Sequence, residues 1–249
     1  MSSGLLGVPG LRVRPQSVAA VEGVELGLDG SKPAGERVAV LAPAGSALLG
    51  EFTDAERTER GENVLVLAPR SASTLEVLRH HLPWLRPQVL GLRTSAGFGD
   101  RLGLATPGHI RALRAVGGNI APVFAQQSIR EMTRTHRSPR EVVDDATWSV
   151  FAEGWREPFG ADADHLKTRA DIEQCLPIGY TFWTIDPGDE VDVSAETATA
   201  DVLRVKVDGL PWTELEDTPE AFRRRYVDRS FEIEDQALQR VSVMLFRFH

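Results

Sequence analysis

The feature that most limits how this chain folds is an alternation, between residues 119 and 189, of short apolar runs with segments that open on helix start signals. Asn119-Ile-Ala-Pro-Val-Phe124 reads as a strand, and Ser138-Pro139 opens the clearest helix, whose apolar face carries Val143, Val150, Phe151 and Trp155 and which stops near Pro158. Gly160-Ala-Asp-Ala-Asp-His-Leu166 reads as the next strand, and Thr168 with Asp171 has the form of a capping box opening a further helix. Gly179-Tyr-Thr-Phe-Trp-Thr-Ile185 is rich in β-formers and ends in the turn Asp186-Pro-Gly-Asp189. Strands separated by helices connect in parallel, so the pattern predicts an α/β protein, either a doubly wound sheet or a (β/α)8 barrel.

Upstream, Val38-Ala-Val-Leu-Ala42 and Asn63-Val-Leu-Val-Leu-Ala68 read as strands. Ser73 caps a predicted helix holding Leu75, Leu78 and Leu82, with His80 and His81 as cations at its C-terminal end and Pro83 as its stop. The run Gln-Val-Leu-Gly-Leu-Arg within Pro87 to Thr94 suits a buried strand. Thr106-Pro107 predicts a helix start with the threonine as cap, running through Ile110, Leu113 and Val116 to Gly117-Gly118. Residues 1–85 are expected to form a small N-terminal α/β segment and 86–249 a barrel-like domain. Only about four βα units are legible there against the eight of a closed barrel. Val241-Ser-Val-Met-Leu-Phe-Arg-Phe-His249 is an apolar run with no turn or cap after it, which leads to the expectation of a truncated or frame-shifted end.

With 249 residues and 42% hydrophobic content the chain buries a substantial core. A net charge of -8 argues against nucleic acid as a partner, because phosphate binding needs clustered positive surface. No stretch approaches the roughly 20 apolar residues of a membrane span, and Met1-Ser-Ser-Gly4 lacks a charged region followed by an apolar run, so no membrane partner and a cytoplasmic location are expected. The single cysteine, Cys175, forms no internal disulfide and reads as a small core residue. Neither a dinucleotide-binding glycine motif, a P-loop, Gly-x-Ser-x-Gly nor a CxxC pair occurs, which disfavours nucleotide cofactors and serine-hydrolase chemistry.

In parallel α/β folds the active site lies at the carboxyl ends of the strands, so polar residues directly after apolar runs carry the most weight. The first such group is Gly97-Phe-Gly-Asp100-Arg101 with Thr106-Pro-Gly-His109. A histidine in a helix's first turn stays neutral against the dipole, which suits a metal ligand or a hydrogen-bond donor; the structural alternative pairs Asp100 with Arg101 and leaves His109 capping a loop. In the second group Gln126, Gln127 and Arg130 either hold substrate hydroxyls and a carboxylate or form an ordinary helix start. The third, Asp162-Ala-Asp164-His165-Leu-Lys167, gathers two carboxylates, an imidazole and one of only three lysines. Alternation puts Asp162 and Asp164 on one face and His165 on the other unless the strand has ended. Their oxygen and nitrogen donors suit a divalent ion such as Zn2+, Mn2+, Fe2+ or Ni2+. In the fourth, Asp186 either bonds the turn backbone or contacts substrate.

Taken together, Gly99-Asp-Arg-Leu-Gly-Leu-Ala-Thr-Pro-Gly-His109, Phe124-Ala-Gln-Gln-Ser-Ile-Arg-Glu131, Asp144-Asp-Ala-Thr-Trp148, Gly160-Ala-Asp-Ala-Asp-His-Leu-Lys167 and Thr184-Ile-Asp-Pro-Gly-Asp189 resemble the tagaturonate epimerase family over roughly residues 90 to 192. The resemblance implies a metal-dependent, (β/α)8 TIM-barrel-like enzyme, of which this chain holds the first part, interconverting D-tagaturonate and D-fructuronate. It implies His109 as a metal-site or active-site residue with Asp162, Asp164, His165 and Lys167 nearby; together with the clusters read above, His109 and His165 are expected as metal ligands, Asp162, Asp164 and Lys167 as catalytic, and Gln126, Gln127, Arg130 and Asp186 as substrate-binding. The expected partner is a small sugar acid, with homo-oligomerisation open; another metal-dependent sugar isomerase or aldolase and a non-catalytic remnant are the alternatives. The two sugars differ one position beyond the carbon adjacent to the ketone, so simple enolisation cannot interconvert them. Retro-aldol cleavage and re-addition can, with Asp164 or Asp162 as base and Lys167 or Arg130 holding the substrate carboxylate.

Overall fold

The structure, a computed structural model, describes residues 4–31 and 35–226. The chain divides into two compact units at Asp186/Pro187.

The first unit begins with an antiparallel sheet. Its strands are β1 (Ala19–Val21), β2 (Val24–Asp29), β3 (Arg37–Pro43), β4 (Glu56–Arg60) and β5 (Asn63–Pro69), in the order β1-β2-β3-β5-β4. The two apolar runs expected here are β3 and β5, paired Val38↔Ala68 through Ala42↔Val64. Both are antiparallel to their neighbours, and tight turns join two of the strand pairs in this sheet. Glu22 and Gly23, both at positive φ, close β1 onto β2, and Gly61 at φ +67 turns β4 into β5. The outer strand β4, Glu-Arg-Thr-Glu-Arg, is exposed throughout, and its charges discourage pairing with another chain.

Helix α1 (Ala72–His81) is capped by Ser71, whose hydroxyl accepts from the Thr74 N–H at 3.2 Å, and not by Ser73 as its sequence suggested. His81 Nε2 lies 2.9 Å from Glu51 Oε1. The run Gln88 to Arg93 is not a strand: Gly91 adopts φ +62 and turns the chain, leaving Val89 78% and Leu92 fully exposed.

The parallel sheet consists of β6 (Ser95–Gly97), β7 (Ala121–Ser128), β8 (Gly160–Leu166) and β9 (Phe182–Ile185), neighbours in chain order. Between them lie α2 (Thr106–Val116), α3 (Ile129–Thr135), α4 (Pro139–Glu153) and α5 (Arg169–Cys175). The sequence cues at Ser138 and Thr168 hold: each caps its helix with a complete capping box. Helix α4 ends at Gly154, at φ +60, where a Cβ would stand 2.1 Å from the Gln16 carbonyl oxygen, so Trp155 packs from beyond the helix end. Strand β7 runs four residues further than the sequence suggested, and Gln126 and Gln127 therefore lie on the strand itself.

One hydrophobic cluster runs from β2 and β3 through α1 and α4 to β7 and β8. Phe124, Phe151 and Phe159 are fully buried in it, each contributing about 1.5–3 kcal/mol. Arg79 on α1 ties the layers together: it donates to Asp144 at 2.7 Å and to Thr147 at 2.7 Å on α4. Cys175 is fully buried, and burial pushes its thiol up to about 11, consistent with a core residue.

The second unit contains α6 (Ala200–Asp208) and α7 (Pro219–Tyr226), with Trp212 against Phe222 at 5.5 Å between ring centres. The apolar run Val241–His249 lies outside the described residues, as does the start of the Met1–Gly4 segment. No helix among the described residues is long and apolar enough to cross a membrane.

Candidate functional site

The carboxyl ends of β6, β7 and β8 open onto a cleft of about 650 Å³. Asp100, Arg101, Gln126, Arg130, Glu131, Asp164 and His165 line it.

Asp100 builds one wall. Its carboxylate accepts from the backbone N–H groups of Leu104, Ala105 and Thr106 and from the Thr106 hydroxyl, at 2.8–3.0 Å. The aspartate, rather than Thr106, caps α2. Burial alone would raise its pKa, but these donors outweigh that and bring it below the usual carboxylate value. Arg101 is not its partner and instead meets Glu131 at 2.5 Å. His109, one turn into α2, lies against Phe98 with ring centres 5.4 Å apart and does not line the cleft; its Nδ1 is buried with no hydrogen-bond partner among the described residues.

On β7, neighbouring glutamines part company because successive side chains face opposite ways. Gln126 lines the cleft and donates to Asp162 at 2.9 Å. Gln127 is buried on the other side, donating to Thr135 at 3.0 Å and the Arg101 carbonyl at 3.3 Å while accepting from Arg137 at 2.6 Å. Arg137 also holds the Asp100 carbonyl and Asp145, fastening the Asp100 loop to α4. Arg130, in the first turn of α3, lines the cleft and makes no ion pair with the described residues.

Asp162 on β8 is 2% exposed and accepts from Gln126 and from Thr184 of β9, the latter at 3.0 Å to each oxygen. Asp164 faces the cleft. Burial, then the charge of Asp162, raises its pKa. His165 reaches the same side despite strand alternation, because its backbone adopts φ +52 and the β8–β9 register shifts between Ala163 and Leu166. That conformation costs about 1–3 kcal/mol. The imidazole lies 3.7 Å from Asp164 and 3.4 Å from Asp186, which is thus drawn to the cluster rather than only closing its turn. Lys167 is exposed and does not line the cleft; its backbone N–H bonds Asp171.

The structure therefore gathers Gln126, Arg130, Asp164 and His165 at one cleft, with Asp162 beneath and Asp186 beside it, while Gln127 lies on the opposite side and His109 and Lys167 do not line it. Sequence reasoning missed Thr184 as the partner of Asp162, and it missed Arg137. The alternation of β9 offered a cue for the first; no local signal marks the second. Among the described residues no three His, Cys, Asp or Glu side chains are grouped as a metal site requires. A second cleft, of about 520 Å³ beside α1 and α4, is lined by three arginines, Arg79, Arg86 and Arg140, and one carboxylate, Glu76, which pairs with Arg79 and Arg140, so its lining is net positive.

A model of the tagaturonate epimerase family matches residues 33–248. Over 136 residues the chain is 51% identical to the tagaturonate/fructuronate epimerase of Thermotoga maritima, an alignment spanning 54% of this chain and 28% of that protein. The native crystal structure of fructuronate-tagaturonate epimerase from Cohnella laeviribosi superposes with a TM-score of 0.75 at 30% identity, covering 96% of this chain and 48% of that one. A glycerol complex of the same enzyme gives 0.73 at 32% identity, over 89% and 43%. The chain thus spans about half the length of the solved relatives and 28% of the curated one. With most of its length matched by that model and the parallel sheet and cleft in place, the chain belongs to the tagaturonate epimerase family.

Proposed function

We propose that this chain carries part of the sugar-acid site of an epimerase interconverting D-tagaturonate and D-fructuronate, and that its four parallel strands are one part of a (β/α)8 barrel in a cytoplasmic enzyme. The observation that carries the reading is the presence, in one cleft at strand carboxyl ends, of a guanidinium at Arg130 that pairs with no carboxylate among the described residues and a carboxyl of raised pKa at Asp164. A keto-hexuronate presents the complement of both, a carboxylate and a row of hydroxyls.

In this reading Arg130 binds the substrate carboxylate by charge-assisted hydrogen bonds. Asp164 takes the proton from the hydroxyl of the carbon to be inverted. The bond between that carbon and its neighbour on the ketone side breaks, giving an aldehyde and an enediolate. The aldehyde turns its other face, the bond re-forms, and Asp164 returns the proton. Its raised pKa brings a carboxylate nearer to the basicity that transfer from an alcohol requires. A divalent ion is what such chemistry commonly uses to hold an enediolate. The described residues do not by themselves group the ligands for one, so no step is routed through it.

The test is conversion of D-tagaturonate by this protein in D2O, with and without added Mn2+ or Ni2+. Formation of D-fructuronate with hydrogen retained at the inverted carbon supports the reading. Deuterium at that carbon overturns the retro-aldol route, and no conversion under either condition overturns catalysis by this chain.

A further inference from the structure

Four residues come together across the parallel sheet at the cleft: Gly97 on β6, Gln126 on β7, Asp162 on β8 and Thr184 on β9. Gln126 and Asp162 are register partners, and Asp162 accepts both the Gln126 amide at 2.9 Å and the Thr184 hydroxyl at 3.0 Å. The NH2 group of Gln126 faces Asp162, because its Nε2 is the donor of that hydrogen bond. The whole amide lies over Gly97, where a Cβ would stand 2.3 Å from Oε1 and 2.5 Å from Nε2, and the carbonyl oxygen is the end not bonded to Asp162. No donor among the described residues reaches that oxygen, and it is not a buried orphan atom, so it is open to the cleft that Gln126 lines. Asp162 itself, 2% exposed, is too deeply placed to touch a ligand.

We propose that Asp162 is a positioning residue, which fixes the Gln126 amide with its carbonyl oxygen turned to the cleft and so makes this part of the cleft a subsite for a ligand hydroxyl. The subsite takes a hydrogen-bond donor and rejects a carbonyl or carboxylate oxygen, which would face another acceptor there. Arg130 supplies the contrasting subsite, for the carboxylate. Only the identity of the ligand rests on the sugar-acid reading; the orientation of the amide stands apart from it.

The experiment combines side-chain amide NMR of the 15N-labelled protein with titration of D-fructuronate. The wild-type Gln126 NH2 is expected to be shifted downfield and to exchange more slowly than that of exposed Gln174. Asp162→Leu, alone and with Thr184→Val so that no hydroxyl is stranded, should abolish that signature. Binding should weaken about threefold to tenfold in Asp162→Leu and in Gln126→Leu, with the double variant no weaker than either alone, as a shared interaction requires. A wild-type Gln126 amide that exchanges like Gln174, or losses that simply add, would overturn the proposal. The wild-type measurement decides even where a variant fails to fold. If D-fructuronate binds none of these proteins, the sugar-acid reading fails while the amide comparison still judges the positioning role.

Discussion

The Asp100 carboxylate holds Thr106 twice, through its backbone N–H and its hydroxyl, both at 3.0 Å, and so pins the first turn of α2 to the wall of the cleft. Asp100→Ala removes every one of these acceptors and is expected to cost about 1–2 kcal/mol, the range for a lost helix cap. Urea denaturation measures it, and no loss of stability would show that the cap is dispensable.

The same residue gives a pH dependence of definite sign. Its folded pKa is depressed, so its contribution is present above the unfolded aspartate value of about 3.9 and is lost as pH falls through the lower folded value. The stability difference between wild type and Asp100→Asn should be constant near neutrality and shrink in that acidic window. A difference that grows on acidification would contradict the assignment.

Asp164 predicts the reverse. Its folded pKa is raised, by burial first and by the charge of Asp162 second, so its ionised form opposes folding as pH rises through the unfolded value toward the folded one. Asp164→Asn should therefore melt higher than wild type at neutral pH and equally below the unfolded pKa, while losing turnover in an active protein. A stability gain without loss of function would remove Asp164 from the role of base.

Most of the architecture was legible because it is written in local terms. The Ser138-Pro139 helix start, the Thr168–Asp171 capping box and the β8 run are short-range patterns, and each formed as read. What failed depended on single backbone choices or distant partners. Gly91 at positive φ broke the apolar run expected as a strand, and αL geometry at His165 moved an imidazole across the sheet. The polar residues were legible as clusters but not as roles. Whether a glutamine on β7 lines the cleft or braces a loop depends on one residue of phase, and Arg137, ten residues away from Gln127, leaves no local trace.

Arg137 is 10% exposed and braces Gln127, Asp145 and the Asp100 carbonyl. Arg137→Leu should cost about 2 kcal/mol, below the figure for fully buried pairs because Asp145 is 37% exposed. Amide exchange should speed up at Leu104, Ala105 and Thr106, and unchanged protection there would refute the bracing role.

Arg130 carries the central claim, that this cleft binds a sugar acid through its carboxylate. Its side chain is exposed, so Arg130→Ala should leave stability within about 0.5 kcal/mol of wild type. The most direct measurement is an NMR titration of the protein and this variant with D-fructuronate, with D-fructose as the analogue lacking a carboxylate. The account predicts shifts centred on Gln126, Arg130, Asp164 and His165, binding about tenfold or more weaker in Arg130→Ala, and no comparable response to D-fructose. Shifts centred instead on the arginine-lined cleft beside α1 and α4, or equal responses to both sugars, would contradict it.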